Sequence, residues 1–262
     1  MTDEPTYDAP PAPCSIVRDL SLPIVATAIH AGHALRAEVA GLLALDAAER
    51  RREEDPFTDL WTTVAPTRVV GTHSRFEVDL NRPRDGAVYR TPDEAWGLSV
   101  WREPLPDGVV KRSLAGYDAF YGEIGALLDE VHARFGVFAV LDLHSYNHRR
   151  DGPAAAPGAR EANPEVNIGT SILDRDRFGR SLENFADALR DPVEGEALDV
   201  REDVKFRGGH FSRWILARYP GDACALAIEF KKTFMDEWTG EPDEARIGII
   251  GRRLAAAVPV LL

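Results

Sequence analysis

The chain has 262 residues, 44% hydrophobic and 8% aromatic, which is enough apolar material for one large α/β domain whose core needs no staples. Its formal net charge of −12, from 31 Lys and Arg against 43 Asp and Glu, repels phosphate backbones and argues against a nucleic-acid partner. No run approaches the roughly 18 apolar residues of a membrane span. The segment from Met1 to Cys14 carries no basic or apolar leader pattern, and Cys14 and Cys224 lie in no metal-ligand spacing, so a cytoplasmic protein is expected.

Residues 1–15 hold four prolines and read as a loose tail, with one folded domain following over 16–262. Ser21 to Ile29 is an apolar, Val- and Ile-rich run that predicts a buried strand ending at His30-Ala31-Gly32-His33. Helical spacing then runs from Leu35 to Glu54, and Asp55-Pro56 ends it because proline pushes the preceding residue out of the α region. Extended chain is expected from Thr67 to Leu80 with a break near Gly71, then a long loop from Asn81 to Pro106. A helix over Ser113–Phe135, with Gly136 placed as its C-cap, leads to an apolar strand over Val137–Leu143. A Gly, Pro and Ala loop, a strand at Glu165–Thr170, a helix near Arg175–Leu189 and an extended stretch at Leu198–Phe206 follow. The chain closes with a helix near Phe211–Arg218, a buried strand at Cys224–Phe230 and a helix at Pro242–Val258. Continuous apolar strands alternating with helices predict a mostly parallel mixed sheet covered by helices on both faces.

Ligands gather outside the carboxyl ends of strands in such sheets, and the residues suited to chemistry concentrate at those ends here. His30 and His33 follow the first strand, Asp142 and His144 end the Val137 strand, and Glu229 stands near the end of the Cys224 strand. Neutral imidazoles and a carboxylate suit a catalytic zinc that keeps one position open for water. His30 and His144 are the two imidazoles; the third ligand is either His33, three residues on, or Asp55, for which a plain helix-ending acid is the structural alternative. Glu229 in Leu226-Ala227-Ile228-Glu229-Phe230 is a costly carboxylate in an apolar strand, suited by partial burial to general-base work, unless it forms an ion pair with Lys231 or Lys232. The run Ser74-Arg75-Phe76-Glu77-Val78-Asp79-Leu80-Asn81-Arg82 offers arginine forks for a carboxylate or a scissile carbonyl, with an Arg75–Asp79 pair as the internal alternative. Further basic clusters at Arg149-Arg150 and at Lys205 and Arg207 point to an anionic small molecule or to solvated surface.

Taken together, His30-Ala31-Gly32, the Ser74 to Arg82 run, Asp142-Leu143-His144-Ser145 and Ile228-Glu229-Phe230 resemble the N-formylglutamate amidohydrolase family from about Pro23 onward. That family is similar to aspartoacylases and zinc carboxypeptidases, so the resemblance implies a zinc-carboxypeptidase-like fold of the phosphorylase/hydrolase-like type. It implies Zn2+ or another divalent metal on His30 and His144, Asp55 as the third ligand, and Asn81 and Arg82 on the substrate carboxylate. Arg75 would polarise the carbonyl and Glu229 would be the base, while His33, standing where the carboxypeptidase pattern has glutamate, is left to the substrate side. Glu165-Val166-Asn167-Ile168-Gly169-Thr170 and Glu237-Trp238-Thr239-Gly240 look like marks of a divergent branch. The expected activity is hydrolysis of an N-formyl or N-acyl amino acid, with a metallopeptidase acting on an acidic peptide terminus, or a non-catalytic metal-binding protein, as rivals.

Overall fold

The apolar runs pair into one sheet. The computed structural model describes residues 12–192 and 197–261. Its strands are β1 (Cys14–Val17), β2 (Ile24–Ala28), β3 (Thr67–Gly71), β4 (Phe138–Tyr146), β5 (Val166–Gly169), β6 (Val200–Glu202) and β7 (Ala223–Lys231), in the order β1-β3-β2-β4-β7-β5-β6. The central neighbours β3, β2, β4 and β7 run parallel to one another, as do β5 and β6, while β1 on β3 and β5 on β7 are antiparallel. The sheet is therefore mixed and mostly parallel, as expected.

The helices are α1 (Ala37–Leu42), α2 (Ala47–Glu53), α3 (Thr58–Trp61), α4 (Asp107–Phe135), α5 (Arg175–Arg190), α6 (His210–Arg218) and α7 (Glu244–Ala257). Side chains alternate across a strand, and in the β4–β7 register Phe138 stands beside Ala223 while Ser145 stands beside Phe230, which puts the two phenylalanines on opposite faces. Phe138 meets His132 of α4 and Tyr219, just beyond α6. Phe230 meets Trp61 of α3, whose indole donates to the Ile247 carbonyl of α7, and α7 packs on α5. Both faces are thus covered. No helix among the described residues is long and apolar enough to cross a membrane.

Several boundaries differ from the expectation. Cys14 and Ser15, assigned to the tail, begin β1 and pair with Gly71 and Val70; residues 1–11 of that tail lie outside the described residues. The single helix expected over Leu35–Glu54 is two, because Leu43 leaves the helical path to bridge Trp101 and enters a small cluster with Phe76, Tyr89, Ala95 and Val100. Asp46 then restarts the helix: its carboxylate accepts the Glu49 amide at 2.8 Å, and the Glu49 side chain accepts the Asp46 amide at 2.8 Å. The run from Ser74 to Asn81 is a turn rather than extended chain, with the Glu77 amide on the Ser74 carbonyl. β4 reaches Tyr146, because β7 pairs with it as far as Lys231, so His144 lies inside the strand.

The reciprocal capping box sets where α2 begins, and hence where its far end delivers Asp55. Asp46→Ala is expected to cost about 1 kcal/mol of stability, read from chemical denaturation.

Candidate active site

Three buried side chains converge where β2 and β4 end. His30 follows β2, and its carbonyl accepts the Asp55 amide at 3.0 Å, which ties the end of α2 to the end of β2. The buried Lys232 ammonium reinforces that link by donating to the carbonyls of Arg52 and Glu54 at 2.6 and 2.7 Å. Asp55 Oδ2 consequently stands 3.0 Å from His144 Nδ1 and 3.6 Å from His30 Nδ1, with the imidazole centroids 5.0 Å apart. One donor atom from each of the three falls within 4.8 Å of the others. The opposite ring nitrogens face carboxylates: His30 Nε2 is 2.8 Å from Asp79 Oδ1, and His144 Nε2 is 3.0 Å from Asp142 Oδ2. Ser145 Oγ donates to Asp55 Oδ1 at 3.0 Å. A carboxylate behind each imidazole fixes its orientation and leaves the other nitrogen to a metal. Among the described residues His30 Nδ1 is buried with no hydrogen-bond partner, so its nitrogen is free to bind a cation. Two imidazoles and a carboxylate are a donor set suited to zinc.

The trio lines a cavity of about 400 Å³ together with Arg75, Asn81, Trp96, Arg150, Lys205, Arg207, Glu229 and other residues. Glu229 stands beside His144 in the β4–β7 register and shares its face. It has no ion pair or hydrogen bond among the described residues: Lys232 is occupied as above, and Lys231 donates to the Asn163 carbonyl. Arg75 is held by Asp79 at 2.8 Å, the Tyr89 hydroxyl at 3.2 Å and the Glu53 carbonyl at 3.3 Å, with Trp96 stacked over it. Asn81 Oδ1 accepts the Phe211 amide at 2.9 Å, so this side chain caps the start of α6, while its Nδ2 lies 3.4 Å from His144 Nε2.

Two residues assigned to the substrate are placed elsewhere. Arg82 donates to the Glu94 carbonyl at 2.6 Å, stacks on Tyr89 and does not line the cavity. His33 is half-exposed, 3.0 Å from Glu54 Oε2, and faces a separate depression with Arg51 and Phe57. Asp55, not His33, therefore stands with the two histidines. The Lys232 and Trp96 contributions were not read from the sequence; a lysine two residues past a strand's buried end carried only an ion-pair signal, and Trp96 lay in a loop without period.

The sequence model of the N-formylglutamate amidohydrolase family matches residues 22–235. The chain belongs to that family. Among solved structures, the N-formylglutamate amidohydrolase of Ralstonia eutropha JMP134 is 18% identical with a TM-score of 0.76, covering 94% of this chain and 95% of that one. A gene product of Agrobacterium tumefaciens is 18% identical with a TM-score of 0.65, covering 95% of each chain. A metallo-carboxypeptidase of Burkholderia cenocepacia matches at 14% identity and a TM-score of 0.38, covering 90% of this chain and 56% of that one. No curated protein sequence matches.

Electrostatics divides the carboxylates of this amidohydrolase-family cavity into two kinds. Burial pushes the Asp55 carboxyl up, but the hydrogen bond from His144 and the nearby His30 imidazole outweigh it and hold the group well below its ordinary range. Asp79 is likewise lowered, burial being overcome by Arg75 and His30. Glu229 goes the other way: burial raises it to about 7, with His144 opposing and the charges of Asp55 and Asp142 adding to the rise. His144 is raised, the burial penalty on its cation being exceeded by Asp142, Asp55 and Glu229.

Because Asp142 orients His144 from behind, Asp142→Asn is expected to weaken divalent-metal binding by about 10- to 100-fold. Competition with a chromophoric chelator measures this, and an unchanged affinity would show that the Asp142 contact does not tune His144.

Proposed function

We propose that the protein is a zinc-dependent amidohydrolase that cleaves the amide of an N-formyl or N-acyl amino acid. The observation that carries this reading is the Glu229 carboxylate, without an ion pair or hydrogen bond among the described residues, beside the His30–Asp55–His144 trio in one cavity. His30 Nδ1, His144 Nδ1 and one Asp55 oxygen would hold the metal, which when bound supplies Lewis-acid polarisation and makes water acidic near neutral pH. Glu229, poised near 7, takes the proton of the attacking water and delivers it to the departing amine. Arg75 uses three of its five N–H groups on Asp79, Tyr89 and Glu53, which leaves two to stabilise negative charge growing on the carbonyl oxygen. Trp96 covers that guanidinium on its outer side.

Membership of the N-formylglutamate amidohydrolase family and the fold shared with the Ralstonia protein support this choice of reaction. A cavity of this volume suits a small acylated amino acid, and its surrounding cations suit an acid.

Glu229→Gln is expected to lower kcat by about 10²- to 10⁴-fold while metal content, measured by plasma emission spectrometry, stays that of the parent. Full turnover in that variant would remove Glu229 from the mechanism. Turnover absent from the parent over a panel of N-formyl and N-acetyl amino acids would instead favour a metal-binding protein without hydrolysis.

The protonation of Glu229 also sets a pH limb. As pH falls below about 7 the group becomes the neutral acid and cannot accept the water's proton, so kcat/KM should fall about tenfold per unit. A pH–rate profile flat from 5 to 8 would contradict the assignment.

A further inference from the structure

The pair expected to hold the substrate carboxylate is engaged elsewhere, since Arg82 turns to the Glu94 carbonyl and Asn81 caps α6. A cavity for an acylated amino acid then needs another carboxylate anchor, and the cations around it can be sorted by what already occupies them. Arg75 is committed to Asp79, Arg150 to Glu53 at 3.2 Å, and Arg213 to the Gly208 carbonyl at 2.9 Å. Lys205 donates to Asn163 Oδ1 at 2.8 Å over the Tyr146 ring. Arg207 lines the cavity and has no hydrogen bond, ion pair or ring contact among the described residues.

The backbone that presents Arg207 is nevertheless held firmly. Asn167, fully buried on β5, accepts the amides of Lys205 and Phe206 at 2.8 and 3.3 Å and donates to the Phe206 carbonyl at 2.8 Å. On the far side of Arg207 the chain lies against its neighbours so closely that a Cβ on Gly169 would overlap the Gly208 amide, and one on Gly209 would overlap the Asn81 side chain. In the antiparallel β5–β7 register Asn167 stands opposite Glu229, so the strap 205–209 is anchored at the strand position of the proposed base. This gives a purpose to Asn167 and Gly169 of the run Glu165–Thr170, for which the hydrolytic steps have no use.

We propose that Arg207 is the carboxylate clamp of this site, holding the α-carboxylate of the amino acid that is released. The assignment rests on the reading of the cavity as that of an N-acyl amino acid hydrolase. A guanidinium presents two parallel N–H groups that match a carboxylate. One with no protein partner can engage the ligand without breaking an internal ion pair, and a fixed backbone limits the freedom lost on binding. Lys205 and Arg150, at the same cavity, add attraction for the anion without direct contact being required of them.

The test compares the full-length parent, Arg207→Gln, Arg207→Lys and Arg82→Gln on N-formylglutamate and on its α-carboxamide analogue. Arg207→Gln is expected to raise KM for the acid by about tenfold or more with kcat within twofold, to leave KM for the carboxamide near that of the parent, and to exceed the effect of Arg82→Gln. Arg207→Lys should recover part of the loss. A KM for the acid within twofold of the parent, or a smaller effect than that of Arg82→Gln, overturns the clamp. If the parent hydrolyses neither compound, the hydrolase reading fails separately, and calorimetric titration with glutamate decides the clamp. At least a tenfold weaker affinity in Arg207→Gln than in the parent supports it; equal affinity, or no binding to either, overturns it.

Discussion

The constraint on which the rest depends is the placing of the Asp55 carboxylate, 2% exposed, between two imidazoles. Taking an ion of that size out of water costs several kcal/mol even after relaxation, so the surrounding chain has to supply partners in fixed positions. It does so from separate parts of the sequence: His30 after β2, His144 and Ser145 in β4, and Lys232 after β7, which holds the carbonyls on either side of Glu53. The parallel arrangement of β2, β4 and β7 brings their carboxyl ends to one edge and makes that convergence geometrically available.

Burial raises both carboxyls of one cavity, and their partners send them in opposite directions. Asp55 is surrounded by hydrogen-bond donors and stays ionised, whereas Glu229 has none among the described residues and is pushed to about 7. Environments that separate the proton affinities of two carboxylates suit them to different protonation states at one pH. Asp79 and Asp142 form a further layer, each facing an imidazole, and Asp79 also gathers Arg75 and Tyr89, so that His30 and Arg75 share one anchor.

Positioning of the outer wall relies on a different device. In the strap 205–209, Arg207 makes no hydrogen bond or ion pair among the described residues, while the main chain is held by Asn167 and pressed against β5 and Asn81. Rigid main chain beneath an uncommitted side chain is an arrangement that favours a ligand over an internal partner. Asp79, by contrast, is held by His30, Arg75 and Tyr89.

Much of this was legible in residue order, and the reason is periodicity. Near-continuous apolar runs marked β2, β4 and β7; the repeated apolar face marked α4; and polar residues interrupting those runs marked His30, Asp142, His144 and Glu229. Those signals are local, because strand and helix periods impose them on neighbouring residues. The break between α1 and α2 was hidden, since it arises when Leu43 pairs with Trp101 across a long loop. The antiparallel direction of β5 was hidden for the same reason, as a four-residue strand carries no local mark of the direction in which it pairs. Sequence thus determined by itself the α/β class, the central strands and the residues rich in chemistry. Only tertiary structure decided that Asp55 rather than His33 joins the histidines, and that Arg82 turns away while Arg207 faces the cavity. Those outcomes depend on hydrogen bonds between distant segments, such as the Asp55 amide on the His30 carbonyl and Asn167 on the strap, and no local pattern encodes them.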